Sequence, residues 1–283
     1  MTHSSRTGHY VSTATHGRRS RWAALVAVLV ALVAVGGTYA FLNASSKASA
    51  APAEAPTSAQ IEEGKNLFME GCSSCHGLKA QGIDGDTIEA GGNGGPSLIG
   101  VGSAAVHFQV STGRMPLAGP GAQAPQKAPI YNEEETAALA AYIASLAPGP
   151  SIPTAEDLKY EGASIAEGGE LFRTNCTQCH NFAGRGGALS DGAYAPSLME
   201  ASPQVIWEAM ATGPQQMPVF SNQTLTPENK QSIIKYITSL QTASNPGGLD
   251  LGSLGPVTEG LFVWIAGLGL IIVVAVWIGA KVR

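Results

Sequence analysis

Five residues, Cys72-Ser73-Ser74-Cys75-His76, return in kind as Cys176-Thr177-Gln178-Cys179-His180, 104 positions later, and the two stretches use all 4 cysteines of the chain. The pattern C-x-x-C-H serves one chemistry in particular. Two thiols three positions apart add to the edge of a porphyrin as thioethers, and the His that follows is held beside the ring as the proximal iron ligand. Cys72, Cys75, Cys176 and Cys179 are therefore read as covalent attachment points for two haem c groups, with His76 and His180 as iron ligands. Two other uses of C-x-x-C compete. A thioredoxin-like redox pair wants one such motif near a βαβ pattern, and a structural zinc site could take four thiolates from two of them. Neither explains a His directly after each pair.

A proximal His leaves a sixth position on iron. A Met thioether there is a soft donor that stabilises ferrous iron and raises the potential. Met115 follows His76 by 39 residues and Met217 follows His180 by 37, each directly before a Pro in a loop. That repetition makes Met115 and Met217 the expected sixth ligands. Met69, Met199 and Met210 fall on expected helices and read as packing residues. His107 could compete for the first iron, but the second repeat has no counterpart, so it reads as structural. With His and Met on both irons no position is open to a substrate. The chain is then expected to move electrons rather than convert small molecules, so no catalytic residue is assigned.

The elements that must position these residues are duplicated too. Thr57 with Gln60, and Ser164 with Glu167, have the form of a capping box. Ile61, Gly64, Leu67 and Phe68 follow on one side of a short helix, matched by Gly168, Leu171 and Phe172, and each Phe sits four residues ahead of its first Cys. After each His the chain is Gly-rich and irregular until Pro96-Ser97-Leu98 and Pro196-Ser197-Leu198. Each repeat closes on a helix, one capped by Asn132 with Glu133, Glu134 and Glu135 in its first turn, the other by Thr226 with Pro227 at the first position. These carry Tyr142-Ile143 and Tyr236-Ile237. No strand is expected, so the fold class is mainly α. Pro148-Gly149-Pro150 through Pro153 marks the join.

Both ends of the chain are apolar runs flanked by basic residues. Residues 1–21 carry Arg6, Arg18, Arg19 and Arg21 and no acid, as a short cytoplasmic tail does. Residues 22–42 follow without a charge, roughly 31 Å of helix at about 1.5 Å per residue, enough to cross a bilayer. Ala48-Ser49-Ala50 could be a signal cleavage site, but the length of the run favours a retained anchor. Residues 43–56 and 243–260 read as linkers. Residues 261–280 are a second apolar run, ending in Lys281 and Arg283. The haem domains are accordingly expected outside the cell membrane, with both termini in the cytoplasm.

Net charge is −5, but all 21 acidic residues and only 9 basic ones lie between Ala51 and Gly260, a net of −12 for that region. An acidic body argues against nucleic acid as a partner, since phosphate binding needs a basic face. It suits basic or tightly assembled protein partners.

The order C-x-x-C-H, Pro-Ser-Leu, Gly-x-Met-Pro and Tyr-Ile-x-Ser-Leu resembles the class I cytochrome c domain, in tandem over residues 57–147 and 160–242, with residues 148–159 as linker. With two flanking hydrophobic segments the whole chain resembles the dihaem cytochrome cc subunit of the actinobacterial cytochrome bcc menaquinol oxidoreductase. The resemblance implies a helical fold around each haem, with Cys72, Cys75, His76 and Met115 holding one and Cys176, Cys179, His180 and Met217 the other. It also implies partners: a cytochrome b subunit, the Rieske iron–sulfur protein as electron donor, and the terminal oxidase as acceptor within a supercomplex. One departure is the longer Gly213-Pro214-Gln215-Gln216-Met217, against Gly113-Arg114-Met115. A dihaem subunit of a haem–copper oxidase is the competing reading, and the span at 261–280, after the haem domains, speaks against it. A third is the electron-accepting subunit of a periplasmic dehydrogenase.

Overall fold

The computed structural model describes residues 26, 28–34, 55–83, 94–119, 121–243, 251 and 256–281. The chain divides into two compact units, Met1–Ala50 and Ala51–Arg283. In the first, residue 26 and residues 28–34 are helical, and Val28, Leu29, Val30, Leu32 and Val33 are all exposed. The basic tail, the possible cleavage site, most of the apolar run 22–42 and most of both terminal linkers lie outside the described residues.

The second unit holds two helical domains built to one plan. In the first domain, α1 (Ser58–Gly71) runs into the one-turn α2 (Ser73–His76), followed by α3 (Gly102–Ser111) and α4 (Glu133–Leu146). The second repeats this as α5 (Ile165–Asn175), α6 (Thr177–His180), α7 (Pro203–Thr212) and α8 (Pro227–Thr242). A two-stranded antiparallel ribbon, β1 (Gly187–Ala188) with β2 (Tyr194–Ala195), is an addition to the all-helical expectation. It lies in the Gly-rich stretch after His180, where two residues per strand leave no alternation to read.

The first and last helices of each domain cross at a glycine. A Cβ on Gly64 of α1 would lie 1.9 Å from the Ala138 carbonyl oxygen of α4, and one on Gly168 of α5 would lie 1.8 Å from that of Ser232 in α8. Only a residue without a side chain lets the backbones come this close. One turn further along, Phe68 meets Tyr142 and Phe172 meets Tyr236, both with ring centroids 5.4 Å apart and tilted, a favourable aromatic geometry. Each Phe is buried at the centre of its core. Around Phe68 pack Val110, Leu139 and Ile143, and around Phe172 pack Ile206, Trp207, Ile233 and Ile237.

Capping falls at the expected places, but the boxes expected at Thr57 and Ser164 are only half formed. Asn132 and Thr226 form full boxes with Glu135 and Asn229. Thr57 and Ser164 accept from the backbone N–H of Gln60 and Glu167, but Glu167 turns its carboxylate across to α8, accepting from Asn229 Nδ2 at 3.1 Å and Ser232 Oγ at 3.4 Å. A tertiary contact has taken the place of the local bond.

The join between domains is held on both sides. Ala104 N–H donates to the Pro150 carbonyl and Ile152 N–H to Ser103 Oγ. Past the join, Gln231 Nε2 donates to the Glu156 and Asp157 carbonyls. The C-terminal helix α9 (Pro256–Lys281) starts five residues before the expected apolar run. Its stretch Thr258–Ala280 has mean hydropathy 2.8 and none of it is buried. By length and composition it is the one helix among the described residues able to cross a membrane.

If the crossing needs a bare backbone, Gly168→Ala should destabilise the chain by about 1–3 kcal/mol, the usual cost of overpacking. Gly162→Ala, where nothing lies within 4 Å, should leave it unchanged. Thermal unfolding of the solubilised chain followed by circular dichroism separates the two, and equal melting temperatures would refute the close crossing.

Candidate haem-binding sites

Each C-x-x-C-H stretch is the seam between a long helix and a single turn. Cys72 N–H donates back to the Phe68 carbonyl and Cys176 N–H to that of Phe172, so each first Cys terminates its helix. The turn then closes with His76 N–H on the Cys72 carbonyl at 3.0 Å and His180 N–H on the Cys176 carbonyl at 2.9 Å. Three positions apart on a helical turn, the two sulfurs share a face. All four cysteines are free of disulfides. Burial, and next the neighbouring thiol, push Cys72 up to about 11 and Cys176 up to about 12. Neutral sulfur suits such surroundings, and a thioether carries no charge. The two pairs lie in separate domains, Cys72 against one core and Cys176 against the other, which does not make the four-thiolate arrangement that zinc would take.

The imidazoles are oriented by a bond repeated in both domains. His76 Nδ1 lies 2.7 Å from the Pro96 carbonyl oxygen and His180 Nδ1 lies 3.0 Å from that of Pro196. A carbonyl can only accept, so Nδ1 carries the proton and Nε2 keeps its lone pair. Burial pushes the His180 pKa down, the bond to Pro196 opposing it, which favours the neutral ring a metal needs. The Pro-Ser-Leu motif, evident in sequence as a repeat without a role, is thereby explained. Pro supplies the carbonyl, Ser97 and Ser197 accept from the N–H of Ile99 and Met199 to shape the turn, and Leu98 and Leu198 pack on the cores.

The methionine loops differ in construction. Met115 N–H donates to the Gln109 carbonyl, and the Lys127 ammonium donates to the carbonyls of Gly113, Arg114 and, at 2.6 Å, Pro116. One half-buried cation thus clamps the residues on either side of Met115. In the second domain Met217 N–H donates to the Pro214 carbonyl. Its extra residues carry Gln215, whose side-chain oxygen accepts from Ala124 N–H at 3.1 Å and whose amide donates to the Ala124 carbonyl. The longer loop is used for contact with the first domain. Cys72, Leu98 and Met115 border one core, and Cys176, Leu198 and Met217 border the other.

In the second domain these residues enclose a cavity of about 620 Å³ lined by Cys176, Cys179, His180 and Met217, within the roughly 300–1,000 Å³ of cofactor sites. Its wall includes Arg185, whose Nε is buried with no hydrogen-bond partner. Two thiols, an imidazole, a thioether and an unsatisfied cation lining one cavity fit a haem with its carboxylates. Met199 lines the same cavity from a turn rather than the expected helix, two residues after Ser197, next to the segment that anchors His180. Met210 is on α7 as expected and is 2% exposed. In the first domain residues 84–93, between His76 and Pro96, lie outside the described residues.

His107 is structural. From α3 its Nδ1 lies 2.8 Å from both carboxylate oxygens of Glu208 on α7, and Gln204 Nε2 donates to Glu208 at 3.0 Å. Glu208 has no exposed surface, so the two domains meet over a buried carboxylate. Sequence reasoning missed Glu208, Lys127, Arg114 and Arg185, since a lone charged residue carries no periodic or motif signal.

The fold and these sites define tandem cytochrome c domains. A cytochrome c family model matches residues 61–147, and a model described as cytochrome c oxidase, cbb3-type, subunit III matches residues 163–237. Over the whole chain the similarity is to proteins named cytochrome bc1 complex cytochrome c subunit. The one from Mycobacterium tuberculosis (strain H37Rv) is 45% identical, covering 93% of this chain and 92% of its own. That from Corynebacterium efficiens is 45% identical over 83% and 81%, and that from Corynebacterium diphtheriae 42% identical over 93% and 96%. The chain belongs to the family of cytochrome c subunits of the cytochrome bc1 complex. Domains of this type bind haem c covalently, and two of them are present.

A double-mutant cycle on the contact between domains, H107A with E208A, should give a coupling of about 0.5–3 kcal/mol in thermal or denaturant unfolding, as for residues in one network. H107A alone should cost about 1–3 kcal/mol by depriving a buried acceptor of its donor. Additive effects would mean the contact holds nothing together.

Proposed function

We propose that this chain is the dihaem electron carrier of a quinol-oxidising cytochrome bcc complex, taking electrons from the Rieske iron–sulfur protein and passing them to the terminal oxidase. In this reading Cys72 and Cys75 would hold one haem covalently, with His76 and Met115 supplying its iron ligands. Cys176 and Cys179 anchor the other with His180 and Met217. The observation that carries it is the cavity on which Cys176, Cys179, His180 and Met217 converge, with His180 Nδ1 committed to Pro196 so that Nε2 is free. The names of the full-length relatives supply the complex.

When bound, each haem supplies a one-electron ferric/ferrous couple. The chain's residues do the rest. The thioethers hold the group permanently, so none is lost while the carrier cycles. The Pro carbonyls keep the imidazoles in one tautomer and orientation. The Met loops, that of Met115 under the clamp of Lys127, would supply a thioether to each iron and so keep oxygen and other small ligands away from it. The apolar cores beside each site lower the local dielectric and keep reorganisation on electron transfer small.

Cytochrome b, the Rieske protein and oxidase subunits are the expected partners. The helix α9 would hold the chain in the cell membrane, with residues 22–42 as a second span, both termini in the cytoplasm and the domains at 57–147 and 160–242 outside. The family model matched at 163–237 favours one other reading, a subunit of a haem–copper oxidase. It covers the second domain alone, whereas the relatives above match both domains and their flanks.

The test is purification of the tagged chain from gently solubilised membranes. Cytochrome b, Rieske and oxidase subunits should come with it, and quinol-driven oxygen uptake should need no added cytochrome c and depend little on salt. Oxidase subunits alone would favour the alternative. The reduced native protein should resist carbon monoxide, while M115A and M217A should each open one iron to it; ready binding in the native protein would refute ligation by both His and Met.

A further inference from the structure

The cavity of the second domain is walled partly by the first. Phe108 and Arg114 reach it from the first domain. Arg114 is 8% exposed, and its guanidinium sits 4.9 Å from the centre of the Phe108 ring. Among the described residues no carboxylate pairs with it and nothing accepts from its side-chain N–H groups. Burial depresses its pKa, with the nearby Tyr194 opposing. A guanidinium has five donors in a planar fork that matches a carboxylate, and burying one against an aromatic face alone is costly. On the second domain's side, Arg185 has its buried Nε unsatisfied. Two arginines, one from each domain, therefore face one cavity with donors uncommitted. The donors already assigned there, two sulfurs, an imidazole and a thioether, are neutral. A haem brings two propionate carboxylates, and these need cations.

We propose that Arg114 of the first domain anchors a propionate of the second domain's haem, with Arg185 serving the same group from its own domain. This rests on reading the cavity as a haem site. The loop that offers Met115 to the first iron thus offers its preceding residue to the second haem. Lys127, bonded to the carbonyls of Gly113, Arg114 and Pro116, holds both residues in place. The positive charge beside the second haem favours its ferrous state, the direction that draws an electron toward it. It also makes the second site incomplete without the first domain.

The experiment is redox potentiometry on the full chain in its solubilised complex, comparing wild type, R114Q and R114K. The component displaced by M217H is assigned as the second haem. R114Q should lower the ferrous-to-ferric equilibrium constant of that component about tenfold, about 59 mV for one electron, and make it pH-dependent near neutrality. The first component should stay in place, and R114K should recover most of the shift. An unmoved second component with both haems present, or movement of the first alone, would overturn the proposal. Should R114Q not assemble, the wild-type complex decides: the redox infrared difference spectrum should contain guanidinium bands, identified by their shift with 15N-arginine, that titrate with the second component, and their absence refutes the pairing. A wild-type chain with one haem, or a spectrum untouched by M217H, would instead overturn the reading of the cavity itself.

Discussion

The site in each domain depends on one hydrogen bond, from an imidazole Nδ1 to a proline carbonyl. A His that follows a C-x-x-C turn is placed by the helix, but its ring could rotate and either nitrogen could carry the proton. The carbonyl of Pro96 or Pro196 removes both freedoms. Much of the irregular chain can be understood as the means of bringing that carbonyl back. Leu98 N–H returns to the Ala80 carbonyl and Leu198 N–H to that of Gly184, fastening the loop on the far side of the turn. The helices, in turn, are held by the crossing at Gly64 or Gly168 and the Phe–Tyr contact beside it.

The two domains share this plan but differ where they meet. The contact is polar: Glu208 lies buried between His107 and Gln204, and two glutamine side chains each form a pair of bonds with backbone across the junction, Gln123 with Tyr194 and Gln215 with Ala124. Such pairings are directional and leave buried groups unsatisfied if the domains shift, so they favour one relative orientation over many. An electron carrier with two centres needs that, because transfer between them depends steeply on separation. The insertion before Met217, which looked in sequence like a weakening of the motif, is where one of these bonds originates.

The sequence alone determined the chemistry and the class of fold. Covalent haem attachment demands two thiols and a His at fixed spacing, helices demand their caps and apolar faces, and a membrane span demands an uninterrupted apolar run; all three requirements are local and therefore legible. The duplication made each feature check the other, as with Phe68 and Phe172 or Met115 and Met217. Where local reading erred, a competing hydrogen bond had intervened. Glu167 left its expected cap bond for Asn229 and Ser232, and Met199 lies in a turn because Ser197 accepts its N–H. Only the tertiary structure decided what Pro96 and Pro196 are for, that Lys127 grips the Met115 loop, that His107 serves Glu208 rather than iron, and that Arg114 enters the other domain's cavity. These are pairings between single residues far apart in the chain, up to 101 positions for His107 and Glu208, and no periodicity or spacing records which distant partner a lone charge or carbonyl will meet.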